Sequence, residues 1–149
     1  MLPKWHLFLG FFFALTLFLV FPEIEITGFL IIIFSTLLID VDHYIYYVFK
    51  KRDLRLKKAY KWFCKRQKKI NGLSREQRNK FPGVFCFLHG IEALLILLLL
   101  GVFLSKYFFY VFIGFAFHLL LDIIHQRKIH DRLDRVSLIN DFLKFRNLR

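Results

Sequence analysis

The sequence predicts an all-α, polytopic membrane protein with four transmembrane helices in one domain, residues 1–149. Three observations predict it. Hydrophobic residues make up 57% of the chain, aromatic residues 19%, and Phe alone occurs 21 times, at a mean hydropathy of +0.48. A soluble fold of this length could not bury that many apolar side chains. They gather in four stretches of near-membrane length, yet the formal charge is +12 and sits almost entirely outside those stretches.

The first helix is expected over about residues 5–21. Pro3 can open it, because a first-turn residue has no intrahelical use for its N–H. Lys4 before an apolar run imitates a signal peptide, but "FPEIEITG" follows in place of a small-x-small cleavage site, so a retained helix is expected. "FPEIEITG" then reads as a turn. The second helix is expected over 28–49, the third over 83–104 and the fourth over 107–125, with "LSKY" (Leu104–Tyr107) as a tight turn between the last two. Each stretch approaches the ~17–25 residues that span a hydrocarbon core. Helices are the assignment because lipid offers the backbone no hydrogen-bond partners.

Charge orients this arrangement. The loop 50–82 holds fourteen Lys and Arg against Asp53 and Glu76, and the tail 126–149 holds seven more. With Lys4, 22 of the 23 basic residues fall on one side of a four-helix topology; Lys106 falls on the other, with Glu23 and Glu25. The positive-inside rule expects both termini and the loop in the cytoplasm of a cell with an inner membrane. Within the loop, Leu56, Tyr60 and Phe63, with Ala59 beside them, form a helical stripe among lysines. An amphipathic helix on the membrane surface is expected there. Leu133, Val136, Ile139 and Leu143 give the tail a weaker stripe, and "NGLSREQRNKFPG" reads as loop. Cys64 and Cys86, 22 apart and without a CxxC partner, read as two unbridged thiols.

The ionisable residues of the helices all fall at the cytoplasmic end of this topology. His6 opens the first helix. Asp40, Asp42 and His43 interrupt the second, in "STLLIDVDHYIYY". His89 and Glu92 open the third, and His118, Asp122 and His125 close the fourth. His118, Asp122 and His125 share a face by i, i+4, i+7 spacing, as do His89 with Glu92 and Asp40 with His43 by i, i+3. In a regular helix Asp42 would turn about 160° from Asp40, so at most two of Asp40, Asp42 and His43 would aim at one point. Carboxylates gathered in a low dielectric repel one another, and a divalent cation would supply the missing charge. Mixed His and carboxylate ligands suit Zn²⁺ first, with Mn²⁺ and Fe²⁺ open. The candidates exceed the needs of one tetrahedral ion, so one or two ions fit. The expected ligands are His6, Asp40, His43, His89, His118 and Asp122. Singly, each His also fits an interhelical hydrogen bond, and His125 and His130, beside "QRK", read as surface residues.

At these residues the chain resembles the small inner-membrane family called membrane-bound, metal-dependent hydrolases. Members carry a His near the start of the first helix, as in "WHLFLG"; a D-x-D-H element, as in "LLIDVDH"; a His opening a third apolar helix, as in "LHGIEALLIL"; and an H-x-x-x-D element, as in "GFAFHLLLD". All four occur here in that order between His6 and Asp122. The third element departs from the family in lacking its Arg and hydroxyl neighbours. The resemblance implies a metal-dependent hydrolase and leaves the bond cleaved open.

The functional expectation is metal-assisted hydrolysis of a phospholipid or lipid-phosphate ester at the cytoplasmic face. Glu92 and Asp42 are the catalytic candidates, Glu92 as general base. Lys57, Lys58, Lys61 and Lys65 are the candidates for holding an anionic head group. Two alternatives stay open. Intramembrane Asp, Glu and His also mark ion or metal transport, and a basic loop also suits a scaffold that binds a partner. Positive-inside topology accounts for the charge without nucleic acid.

Overall fold

The computed structural model describes residues 3–74, 76–77, 84, 86–130 and 137. Among the described residues six α-helices follow in order: α1 Pro3–Val20, α2 Ile26–Leu38, α3 Val41–Lys51, α4 Leu56–Asn71, α5 Ile91–Phe103 and α6 Lys106–His130. No strand is present among the described residues. The chain is all-helical, as its apolar stretches require.

Three boundaries differ from expectation. The second stretch is broken in two. Asp40 N–H donates to Leu37 O at 3.0 Å and His43 N–H to Asp40 O at 3.1 Å, so a tight i+3 turn separates α2 from α3. The third helix begins at Ile91, not at 83, and the described residues before it are not helical. The fourth continues to His130. Among the described residues two helices are long and apolar enough to cross a membrane: Ile26–Lys51, counted through its break, and Lys106–Arg127. α1 and α5 are shorter; the 13 residues of α5 rise about 20 Å against a core of about 30 Å.

Small residues set how the helices meet. A Cβ on Gly10 of α1 would stand 2.7 Å from Thr36 Oγ1 of α2. One on Gly114 of α6 would stand 2.6 Å from Ser35 Cβ and 2.7 Å from Ile32 O of α2. One on Gly101 of α5 would stand 2.8 Å from Phe109 N of α6. Backbones therefore approach closely, the packing favoured where dispersion rather than water drives association. These contacts also give direction. Early α1 meets late α2, and late α5 meets early α6, so both pairs run antiparallel. Apolar contacts fill the rest: Ala14, Ile32, Ile33 and Tyr110 form one buried cluster, and Ile39, Phe115 and Leu119 another. Outer faces carry exposed Phe8, Phe12, Phe34, Leu99 and Phe103.

α3 ends at Arg52, which takes a left-handed φ of 50° and donates its N–H to Val48 O at 2.7 Å. Asp53 then takes two guanidinium hydrogen bonds and the backbone N–H of Arg55, at 2.8 to 3.0 Å. That contact holds its carboxyl well below the usual carboxylate range. α4 folds back on α3. Its inner face is Ala59, Trp62 and Phe63, with Trp62 against Tyr47 at 5.8 Å and Phe63 against His43 at 5.3 Å between ring centroids. Leu56 and Tyr60, expected on the same stripe, are 69% and 49% exposed. The tail stripe Leu133, Val136, Ile139 and Leu143 lies outside the described residues.

Candidate metal centre

The antiparallel arrangement carries the start of α1, the break after α2, the segment before α5 and the later half of α6 to one end. His6, Asp40, Asp42, His43, His89, His118 and Asp122 meet there. His6, Asp42, His89, His118 and Asp122 are all buried.

The α2–α3 break does chemical work at this point. In a continuous helix the Asp40 N–H would bond to Thr36 O. Here it bonds to Leu37 O, and Thr36 O lies 2.6 Å from His118 Nδ1. A carbonyl only accepts, so Nδ1 carries the proton and Nε2 of the neutral ring presents its lone pair. His89 is fixed in the same way: its Nδ1 lies 2.9 Å from Asp42 Oδ2, which also takes the Leu88 N–H at 3.0 Å. Thus Asp42 and Thr36 orient two imidazoles by their outer nitrogens, the arrangement that steadies histidine ligands at metal centres.

The inner nitrogens face carboxylates. His89 Nε2 and His118 Nε2 stand 3.8 and 3.7 Å from Asp40 Oδ1, and 4.0 and 3.6 Å from Asp122 Oδ2. Neither Nε2 makes a hydrogen bond, and neither does the buried Asp40 Oδ2. These separations are too long for hydrogen bonds. They lie close to the edge of about 3.4 Å between two donors that each sit about 2.1 Å from one tetrahedral ion. Asp40, His89 and His118 form one group whose donor atoms lie within 4.8 Å of one another, and His6, His118 and Asp122 form a second. His6 stacks on His118 with centroids 3.8 Å apart and has Nε2 3.2 Å from Asp122 Oδ1. The donor set fits a divalent cation.

No family model, curated protein or solved structure matches the chain.

Asp42 and His43 fall in one group of ligand atoms and Asp40 in another, so no group gathers all three. His43 Nδ1 lies 2.8 Å from Asp42 Oδ1 and 3.8 Å from Asp40 Oδ1. His89 precedes α5 instead of lying on it, so its i, i+3 relation to Glu92 does not hold. Glu92 is half-buried on the first turn of α5 and accepts a hydrogen bond from Ser137 Oγ at 2.7 Å; it belongs to none of the ligand-atom groups. Lys57, Lys61 and Lys65 are exposed on α4, and Lys58 Nζ lies 3.6 Å from Asp53 Oδ2. Sequence reasoning missed the Thr36 carbonyl, which carries no side-chain signal. It also missed Cys86, which stands three residues before His89 and has its sulfur 3.6 Å from His43 Nδ1. The Cys-x-x-His spacing could have found it.

Proposed function

We propose that this chain is a membrane-embedded, metal-dependent hydrolase working at the cytoplasmic face of a cell (inner) membrane on a phospholipid or lipid-phosphate ester. The observation that carries the reading is the facing of His89 Nε2 and His118 Nε2 onto Asp40 and Asp122 at 3.6 to 4.0 Å. The resemblance to membrane-bound, metal-dependent hydrolases supports the same chemistry. Four spans with both termini cytoplasmic belong to this proposal, as does zinc as the first metal.

His89, His118, Asp40 and Asp122 would hold the ion, with His6 beside Asp122 as a further ligand. A bound divalent ion supplies a Lewis acid and an activated water. Asp40 Oδ2, buried and without a hydrogen-bond partner, is available to accept a proton. Glu92 is the less favoured base because its carboxylate is engaged by Ser137. The apolar outer helix faces would let an amphiphile approach within the membrane, and the lysines of α4 would meet an anionic head group. α4 is joined to the centre through the Phe63–His43 contact.

The test is turnover. Detergent-purified, zinc-loaded protein is offered a panel of phospholipids and lipid phosphates beside the Asp122→Ala variant. Cleavage of one class by the wild type alone supports the reading. Equal rates for both proteins on every lipid would reject it.

A further inference from the structure

We propose that Cys86 is a metal ligand, and that with Asp42 and His43 it forms a second cation position beside the one at Asp40, His89 and His118. The inference deepens the metal-centre reading above and rests on it.

Cys86 is buried, and its donor atom groups with those of Asp42, His43 and His89, all within 4.8 Å of one another. Its Sγ lies 3.6 Å from His43 Nδ1 and 3.8 Å from His43 Nε2. A sulfur about 2.3 Å and a nitrogen about 2.05 Å from a tetrahedral zinc are about 3.6 Å apart. Asp42 is divided between two tasks. Its Oδ2 takes Leu88 N–H and His89 Nδ1, while Oδ1 meets His43 Nδ1 at 2.8 Å. Asp42, His43 and Cys86 thus each offer a donor atom within 4.8 Å of the others, close enough to share one ion as three protein ligands. Asp40 Oδ1 stands 3.8 Å from His43 Nδ1 and 3.8 Å from His89 Nε2, so it faces both positions and can bridge them. His89 links them a second way, with Nδ1 on Asp42 and a buried, unbonded Nε2 toward Asp40.

Charge favours the pair. Asp40, Asp42, Asp122 and a Cys86 thiolate carry four negative charges, and the imidazoles are neutral as ligands. Two divalent cations balance them, which a buried site in low dielectric demands. Binding at the second position releases the thiol proton to solvent and leaves the His43 ring proton on Nε2 in place of Nδ1, so that the imidazole binds through Nδ1 and stays neutral. A thiolate also narrows the metal: Zn²⁺ or Fe²⁺ is favoured over Mn²⁺.

The experiment loads full-length, detergent-purified protein with Co²⁺ and records metal content and near-ultraviolet absorption. Wild type and Cys64→Ala are expected to hold two equivalents and show an intense thiolate-to-cobalt charge-transfer band. Cys86→Ala is expected to hold one equivalent and no band. Cobalt bound to wild type without the band overturns this inference and leaves the first position standing. A band that persists in Cys86→Ala overturns it equally. No cobalt in wild type overturns both this inference and the metal-dependent function. The Cys64→Ala spectrum decides the matter even where Cys86→Ala does not fold, because Cys86 is then the one thiol left to give the band.

Discussion

His118 Nδ1 donates to the Thr36 carbonyl across 2.6 Å, and that bond joins the chemistry of α6 to the break in α2. Asp40 N–H has moved to Leu37 O, so the Thr36 carbonyl no longer serves the Asp40 amide. One local departure from helix geometry thus both orients a histidine and swings Asp40 toward it.

If His118 and Asp122 hold an ion, removing both removes it. Elemental analysis should find one or two equivalents of a transition metal in purified wild type and at least one equivalent fewer in His118→Ala/Asp122→Ala. Equal metal in both would reject the centre.

Asp42 fixes His89 without being its neighbour in sequence. Asp42→Asn keeps the shape but loses the charge that holds the Nδ1 proton. Metal affinity should fall about 10–100-fold, the usual cost of losing an outer carboxylate. A competition titration against a chromophoric chelator measures it, and an unchanged constant would count against the role.

Gly114 places α6 against α2. Gly114→Ala puts a methyl 2.6 Å from Ser35 Cβ and 2.7 Å from a backbone oxygen, so the helices must separate. A loss of about 1–3 kcal/mol is expected, read as a lower unfolding midpoint in detergent together with weaker metal binding. Gly72→Ala is the control, since its Cβ meets nothing nearer than 3.7 Å.

Metal removal should destabilise the fold, because it leaves Asp40, Asp42 and Asp122 clustered without a cation. At a ligand concentration of 100 times Kd, binding adds about 2.7 kcal/mol. Thermal unfolding with and without chelator should show that gap. Coincident melting curves would mean the ion contributes nothing to the fold.

The α4 lysines should matter for substrate and not for the fold. Replacing Lys57, Lys61 and Lys65 with Gln should raise KM for an anionic lipid, by up to about 1 kcal/mol per charge, and spare kcat. Lys58 should contribute less because it already faces Asp53 at 3.6 Å. Michaelis parameters in mixed micelles separate the two.

The amino-acid sequence alone determined that the chain is helical, where its apolar stretches lie and which residues gather at one end. Those follow from composition and from alternation: successive antiparallel helices return His6, Asp40, His89 and Asp122 to the same side. It did not determine that α2 breaks at Asp40, because Ile39, Asp40 and Val41 carry no glycine or proline to announce a turn. At that break the Thr36 carbonyl takes its partner from His118, in a bond between residues 82 apart in sequence. The division of labour among the carboxylates was hidden for the same reason. Asp40 and Asp42 differ only in what surrounds them, and His89, Leu88 and Cys86 are brought to Asp42 by tertiary packing. Spacing along one helix gives the direction of a side chain; which atom faces it is decided by the helices that pack against it.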